Sequence, residues 1–267
     1  MRVLFIGDIF GSPGRRLVRE SARALAAEQG AALVVANCEN AAAGFGITPP
    51  LVEELLAAGI DVLTSGNHIF DRKEILPYLE QGAAGGRLLR PANYPGDAPG
   101  GGLYLGQTAA GTPYAVLNLQ TRVFMPSIDC PFRAADRLLA AIPSHIKVIL
   151  VDLHGETTSE KQALGWYLDG RVSAVVGTHT HVPTADEKIL LRGTAYITDV
   201  GMTGPYDSVI GNDIDDVLRR FLTGLPTRLE VAKNDVRLCG VLLDLDPETG
   251  HAHRIERFAF QSPSQVR

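Results

Sequence analysis

The sequence of 267 residues has little cysteine, no strong excess of one charge and no long apolar run. Its three cysteines, Cys38, Cys130 and Cys239, are widely separated, which argues against zinc-finger and paired redox sites and suits a reducing cytoplasm. No run approaches the length that crosses a bilayer, and the apolar stretch before Asp8 is too short for a secretory signal. We therefore expect a cytoplasmic protein that does not bind membranes.

The formal charge of −5 is mild and argues against nonspecific binding of duplex nucleic acid. It does not exclude an enzyme of small phosphorylated molecules, because metal ions can supply positive charge locally. The hydrophobic content of 45% suffices for a full core, and we expect one domain over residues 1–267. Glycines flank Asp8, but no Gly-Lys-Ser/Thr follows them, which argues against a phosphate-binding loop.

Short β-branched runs alternate with segments of helical periodicity, and this order predicts an α/β fold. The predicted buried strands are residues 3–6, 33–36, 62–64, 148–151 and 174–176. The predicted helices behind them are residues 15–28, 49–58, 73–79 and 159–168. Residues 82–111 are predicted to form a surface loop, 113–119 a strand, and 121–132 a second loop near the same edge.

The C-terminal part offers three more strands, at residues 195–198, 236–245 and 255–260, and a helix at 214–222. Their alternation of apolar and polar residues favours antiparallel pairing. We therefore expect them to form a mixed second layer of sheet.

Polar residues follow directly after the five apolar runs. They are Asp8, Glu39 and Asn40, Asn67 and His68, His154, and His179 and His181. Because ligands of α/β proteins bind at the carboxyl ends of the strands, we expect these side chains to gather at one edge of a single sheet.

Most of these residues also have a purely structural explanation. Asp8 suits a turn or helix cap, Glu39 an exposed turn, and His154 a hydrogen-bonded cap. The pair His179 and His181, two residues apart after a glycine, is the set least easily explained in this way. Oxygen and imidazole donors without a thiolate suit Mn²⁺, Fe²⁺, Zn²⁺ or Mg²⁺, and their number favours two ions. Cys38 is interpreted as a small buried residue.

The order Asp8, Gly-Asn67-His68, His154 and Gly-Thr-His179-Thr-His181 resembles the calcineurin-like metallophosphoesterase superfamily. Phe10 stands where that superfamily usually has histidine, and Glu39 where it has a bridging aspartate. These departures, with Asn-Cys-Glu-Asn-Ala and Gly-Asn-His-Ile-Phe-Asp, are similar to the bacterial YmdB-like branch. The resemblance implies a four-layer α/β/β/α sandwich with two mixed sheets flanked by helices.

The resemblance also implies two divalent metal ions, with Fe or Mn preferred and Zn or Mg as further candidates. Asp8, Glu39, Asn40 and His181 would hold one ion, and Glu39, Asn67, His154 and His179 the other. A hydroxide shared by the metals would attack phosphorus, and His68 would protonate the leaving oxygen. Glu156 and Asp199 would orient the imidazoles or serve as turn residues.

The implied activity is that of a phosphodiesterase for small phosphodiesters, with 2′,3′-cyclic nucleotides first and an RNA end as a further candidate substrate. Two other classes stay open, a regulatory nucleotide-binding or RNA-end-binding protein and a two-metal amidohydrolase. We expect a homo-oligomer. His145, His251 and His253 are interpreted as surface or packing residues, and Arg122 as a solvated loop residue rather than a phosphate contact.

Overall fold

The computed structural model describes residues 1–261 and contains two β-sheets. Seven strands form the first sheet: β1 (Arg2–Ile6), β2 (Asp8–Ile9), β3 (Leu33–Asn37), β4 (Val62–Thr64), β11 (Met202–Pro205), β12 (Val236–Leu245) and β13 (Ala252–Gln261). The other six strands form the second sheet: β5 (Leu103–Gln107), β6 (Pro113–Gln120), β7 (Val148–His154), β8 (Ala174–Thr178), β9 (Lys188–Ile189) and β10 (Ala195–Ile197).

Both sheets are mixed. The first has the order β2-β11-β12-β1-β3-β4, with β13 paired to β12, and the second has the order β5-β6-β7-β8-β10-β9. Strands β1, β3 and β4 run parallel, as do β6, β7, β8 and β10. The carboxyl ends of parallel neighbours therefore lie on the same side of each sheet.

Helices cover the outer face of each sheet. They are α1 (Gly11–Gln29), α2 (Pro49–Ala57), α3 (Ile75–Glu80), α4 (Pro131–Ala141) and α5 (Thr158–Leu168); a further helix, α6 (Ile214–Thr223), buries only Val217. Alternate residues of β1 face opposite sides, so Leu4 joins the core with α1 to α3 while Phe5 joins the core between the sheets. Leu117 of β6 packs with the residues of α4 and α5. The four-layer α/β/β/α sandwich predicted from the resemblance is confirmed.

Three expectations about the sheets were wrong. The five apolar runs belong to two sheets rather than one, because β7 pairs with β6 and β8 rather than with a strand of the first sheet. The long C-terminal strands extend the first sheet, since β12 pairs antiparallel with β1 and β13 pairs antiparallel with β12; of the three predicted C-terminal strands, only β10 joins the second sheet. The predicted loop of residues 82–111 contains strand β5, which pairs antiparallel with β6 and whose burial does not alternate regularly along the strand.

Within residues 1–261, the helices are too short or too polar to traverse a lipid bilayer.

Candidate metal centre

The first sheet contributes the oxygen donors of the candidate site. Asp8 follows β1, Glu39 and Asn40 follow β3, and Asn67 follows β4. The side chains of Asp8, Glu39 and Asn40 are almost completely buried. The Nδ2 of Asn40 donates to the carbonyl of Gly44 over 2.9 Å, which leaves the Oδ1 of Asn40 facing the site.

The second sheet contributes the imidazoles. His154 is the last residue of β7, and His179 and His181 follow β8. His179 and His181 have positive φ angles of 105° and 65°, a backbone conformation that residues other than glycine rarely adopt. The backbone is held there because the N–H of His179 donates to Asp8 over 3.2 Å. Such strain is often found where a side chain must be aimed at a ligand.

Three polar atoms converge on the Nε2 atom of His154. The Oε1 of Glu39 lies 2.9 Å from it, the Oδ1 of Asn67 3.0 Å, and the Nδ1 of His179 3.0 Å. A single imidazole N–H cannot satisfy three such neighbours, whereas one cation among them can use every lone pair. Glu39, His154 and His179 also have ligand atoms within 4.8 Å of one another. The donor set therefore fits a divalent cation.

A second group of donors consists of Asp8, Asn40 and His181. The Nε2 of His181 lies 3.3 Å from the Oδ1 of Asn40 and 4.0 Å from the Oδ1 of Asp8. This buried oxygen of Asp8 has no hydrogen-bond partner within residues 1–261, a costly arrangement unless a cation binds it. Phe10 packs edge-on against the ring of His181, with centroids 5.4 Å apart, so Asn40 is the polar neighbour there.

Burial and neighbouring charge prepare these groups to bind a cation. Burial opposes ionisation of Glu39, but His154 and His68 outweigh it and lower the pKa of Glu39 to about 2. Burial and the nearby His154 lower the pKa of His179 to about 2, which keeps a lone pair available. Burial lowers the pKa of His154, but the nearby carboxylate of Glu39 helps to raise it, and the net pKa lies above the usual value. A cation bound among these donors would displace the proton of His154.

His68 lies at the mouth of the site rather than among the buried donors. The backbone N–H of His68 donates to the Oε2 of Glu39 over 3.0 Å, and the ring atom Nδ1 of His68 lies 2.7 Å from the Oδ2 of Asp71. Within residues 1–261 the second nitrogen, Nε2, forms no hydrogen bond, and His68 lines the cleft. This cleft of about 410 Å³ is lined by residues that include Glu39, Phe45, His68, Glu156, His179 and His181.

Buried polar residues behind the imidazoles hold the second sheet's part of the site. The Oγ1 of Thr178 donates to Asp152 over 2.7 Å and lies 3.0 Å from the Nδ1 of His154. Lys161, fully buried in α5, donates to Asp199 over 2.9 Å and to the carbonyl of Thr178 over 2.7 Å. These contacts fix the ring of His154 and the turn that follows β8.

The two predicted orienting residues act differently. Glu156 lies 3.0 Å from the Nε2 of His179 and so touches an imidazole. Asp199 instead accepts from the N–H of Thr180 and from Lys161, so it holds the turn and not a ring. Cys38 is fully buried, and burial raises the pKa of its thiol, in agreement with its interpretation as a packing residue.

The remaining predicted residues lie where they were expected. His145, His251 and His253 are exposed, and so is Arg122, whose backbone N–H donates to Glu160. The sequence reasoning missed Asp71, Asp152, Thr178 and Lys161 as supports of the site. Lys161 could have been identified from the sequence, because its helical spacing places it on the same buried face of α5 as Leu164, Gly165 and Leu168.

Two packed mixed sheets, with oxygen donors and imidazoles joined at their strand ends, define a phosphoesterase of the metallophosphoesterase type. A family model described as YmdB-like protein matches residues 4–258, and the chain belongs to this family. The family and fold expected from the sequence motifs are confirmed.

Several known proteins are similar over nearly the whole chain. A 2′,3′-cyclic-nucleotide 2′-phosphodiesterase of Bacillus subtilis is 49% identical over 257 residues, covering 96% of each protein. The crystal structure of a hypothetical protein from Thermus thermophilus has 42% identity and a TM-score of 0.91, covering 98% of this chain and 100% of that one. The structure of a novel phosphatase from Mycoplasma pneumoniae has 32% identity and a TM-score of 0.89, covering 99% and 95%.

Proposed function

We propose that the protein is a metal-dependent phosphodiesterase that hydrolyses small phosphodiesters, with 2′,3′-cyclic nucleotides as its substrates. The single observation that carries this proposal is the convergence of Glu39, Asn67 and His179 on the Nε2 of His154 within 3.0 Å. The activity in the name of the similar Bacillus subtilis protein supports the substrate class.

The proposed ligand sets follow the two groups of donors. Asp8, Glu39, Asn40 and His181 would hold one cation, and Glu39, Asn67, His154 and His179 the other. Nitrogen and oxygen donors without sulfur accept Fe or Mn, which we propose first, and also Zn or Mg. When bound, two cations activate water and neutralise the phosphoryl oxygens.

The protein side chains then have distinct tasks. Glu39 would contribute to both ligand sets; one of its oxygens faces His154, and the other accepts from the backbone N–H of His68. His68 gives a proton to the departing ribose oxygen from Nε2, while Asp71 accepts at Nδ1 and orients the ring. Phe45 packs edge-on against His68, with ring centroids 5.1 Å apart, and limits its rotation.

The test of this proposal compares two substrates in the variant His68→Ala. With 2′,3′-cyclic AMP the leaving alkoxide needs a proton, so kcat should fall by about 10²-fold or more. With bis(p-nitrophenyl) phosphate the leaving phenolate needs none, so the loss should be much smaller. Equal losses on both substrates would contradict the role of His68 as an acid. No turnover of 2′,3′-cyclic AMP by the metal-loaded wild type would contradict the proposed function.

Assembly and compartment belong to the same proposal. We propose a homo-oligomer in which the outer face of α6 is a contact, since Phe221 and Leu222 of that helix are 80% and 83% exposed. A Phe221→Ser variant that sediments like the wild type would contradict this contact.

The free cysteines Cys38, Cys130 and Cys239 suit the cytoplasm, which we propose as the compartment.

A further inference from the structure

A second cleft lies beside the cleft of the metal centre, and Phe45 lines both. It has a volume of about 720 Å³ and lies between α1, the loop after β3 and residues 228–233. A smaller depression of about 340 Å³ continues it along α1 and shares Ser12, Arg15 and Lys233 with it. We call the two together the basic groove.

The basic groove is positively charged although the chain as a whole carries −5. Six cationic side chains line it: Arg15, Arg16, Arg19, Arg72, Arg228 and Lys233. Three carboxylates accompany them: Glu54, Glu74 and Glu230. Glu54 lies near Arg15 and Arg19, and Glu230 pairs with Arg228. Arg16 and Lys233 are exposed and form no ion pair with any residue from 1 to 261, so both are available to an anion.

A fixed ridge separates the basic groove from the metal centre. It is the loop after β3, in which Asn40 and Gly44 face the metal centre while Ala42 and Ala43 face the groove. Arg72 holds this loop by donating to the carbonyl of Phe45 over 3.0 Å and to that of Ala42 over 2.7 Å. The ring of Phe45 is 40% exposed at the crest.

We infer that the basic groove binds the phosphate backbone of an RNA whose 3′ end, closed as a 2′,3′-cyclic phosphate, enters the metal centre. This inference rests on the proposed function and names its substrate class. A row of cations that tracks a backbone beside an exposed aromatic ring is the arrangement by which proteins bind single-stranded nucleic acids. A cyclic mononucleotide has no upstream phosphate and would leave the groove unused.

In this scheme the terminal nucleotide lies in the metal centre, its 5′ neighbour stacks on Phe45, and the phosphates further upstream lie near Arg16 and Lys233. The oxygen of one water bonds to phosphorus, and one P–O bond of the five-membered ring breaks. The released ribose oxygen takes up a proton. The product is the same RNA ending in a phosphomonoester.

The kinetic test compares 2′,3′-cyclic AMP with an RNA of about six nucleotides that ends in a 2′,3′-cyclic phosphate. The double variant Arg16→Gln/Lys233→Gln should lower kcat/KM for the RNA by about tenfold or more at low salt, and change that for 2′,3′-cyclic AMP less than about twofold. The matched control is Arg137→Gln/Arg192→Gln, which removes two exposed cations on α4 and before β10. This control should alter neither value.

A binding test gives a readout that does not depend on turnover. Fluorescence anisotropy measures the affinity for the same RNA ending in a 3′-phosphate, over a range of salt concentrations. Loss of two phosphate contacts should reduce the slope of log K against log[salt] by about 1.4 in the groove variant and leave it unchanged in the control.

The outcomes separate the inference from the proposed function. If the wild type hydrolyses 2′,3′-cyclic AMP but the groove variant keeps its RNA turnover and salt slope, the inference is wrong and the proposed function stands. Equal losses in the groove and control variants would likewise overturn the inference. Turnover of neither substrate by the wild type would overturn both.

Discussion

The two sheets contribute chemically different halves of the site. Every proposed oxygen donor follows a strand of the first sheet, at Asp8, Glu39, Asn40 and Asn67, and every proposed imidazole donor ends or follows a strand of the second sheet, at His154, His179 and His181. Oxygen donors suit hard cations, whereas imidazole suits borderline cations such as Zn²⁺ and Fe²⁺. A mixed site therefore exists only where the sheets are packed together, and folding and metal binding should be coupled.

The two halves are also supported differently. The oxygen donors are held by hydrogen bonds within the site itself, since Asp8 accepts from the backbone N–H of His179 and Glu39 from the backbone N–H of His68. The imidazoles are held by buried polar networks that reach into the helices, through Lys161 and Asp199. We therefore expect changes in the first half to act mainly on chemistry, and changes behind the second half to act also on stability.

The largest effect is expected where the halves touch, at Glu39. The variant Glu39→Gln keeps the shape but removes the charge proposed to serve both cations, so kcat should fall by about 10³-fold or more. Metal content measured by mass spectrometry should fall in parallel. The control Glu28→Gln, an exposed residue of α1, should keep both. Full metal content in Glu39→Gln would contradict the bridging role.

Next in size is the buried ion pair behind the second half. Lys161→Met leaves Asp199 charged and unpaired in the interior, and should lower the free energy of unfolding by about 3–5 kcal/mol. Urea denaturation measures this change. Lys161→Met/Asp199→Asn should recover much of the loss, while Lys147→Met, at an exposed lysine, should change stability by less than about 0.5 kcal/mol. If Lys161→Met is as stable as Lys147→Met, the ion pair of Lys161 and Asp199 does not contribute to the free energy of unfolding.

The contact between the halves can also be changed by a single methyl group. A Cβ at Gly66 would lie 2.1 Å from the Cδ2 of His154, so Gly66→Ala must displace that imidazole. A displacement of this size should cost about 10²-fold in kcat/KM. The control is Gly96→Ala, where nothing lies within 4 Å of the added methyl group. Activity in Gly66→Ala equal to the control would contradict the position assigned to His154.

The smallest effect is expected at Thr178, which links Asp152 to His154. Thr178→Val keeps the size of the side chain but removes the hydroxyl that lies 3.0 Å from the Nδ1 of His154. Metal affinity, measured by isothermal titration calorimetry, should weaken by about tenfold. Thr203→Val, at a buried threonine of β11 in the first sheet, is the matched control. Equal affinity in the two variants would show that Thr178 does not support the imidazole.

Much of this organisation could be predicted from the sequence, because strand-end polar residues are a local pattern. The five apolar runs all became strands, and the motifs gave the correct family and four-layer fold. The division of donors between two sheets was not predicted, since a strand followed by a polar residue looks the same in either sheet. The two groups of strands are distinguished by the pairing of β7 with β6, in which Tyr114 lies opposite Val148, 34 residues later in the sequence.

The supports of the site were harder to predict for a different reason. Lys161 and Asp199 meet across 38 residues, and Asn37 and Asp152 across 115, and no local pattern reports such contacts. The positive φ angles of His179 and His181 were also unexpected, because tertiary hydrogen bonds impose a backbone that histidine disfavours. Asp71, three residues after His68, was within reach of local reasoning as a partner of the imidazole.

The most direct test of the account is the position of bound metal ions. Crystals grown with Mn²⁺ and measured at the manganese absorption edge give anomalous peaks at each bound ion. We predict two peaks, one beside Asp8, Asn40 and His181 and the other beside Asn67, His154 and His179, with Glu39 touching both. A single peak, or peaks that contact donors of one sheet only, would contradict a site built jointly by the two sheets.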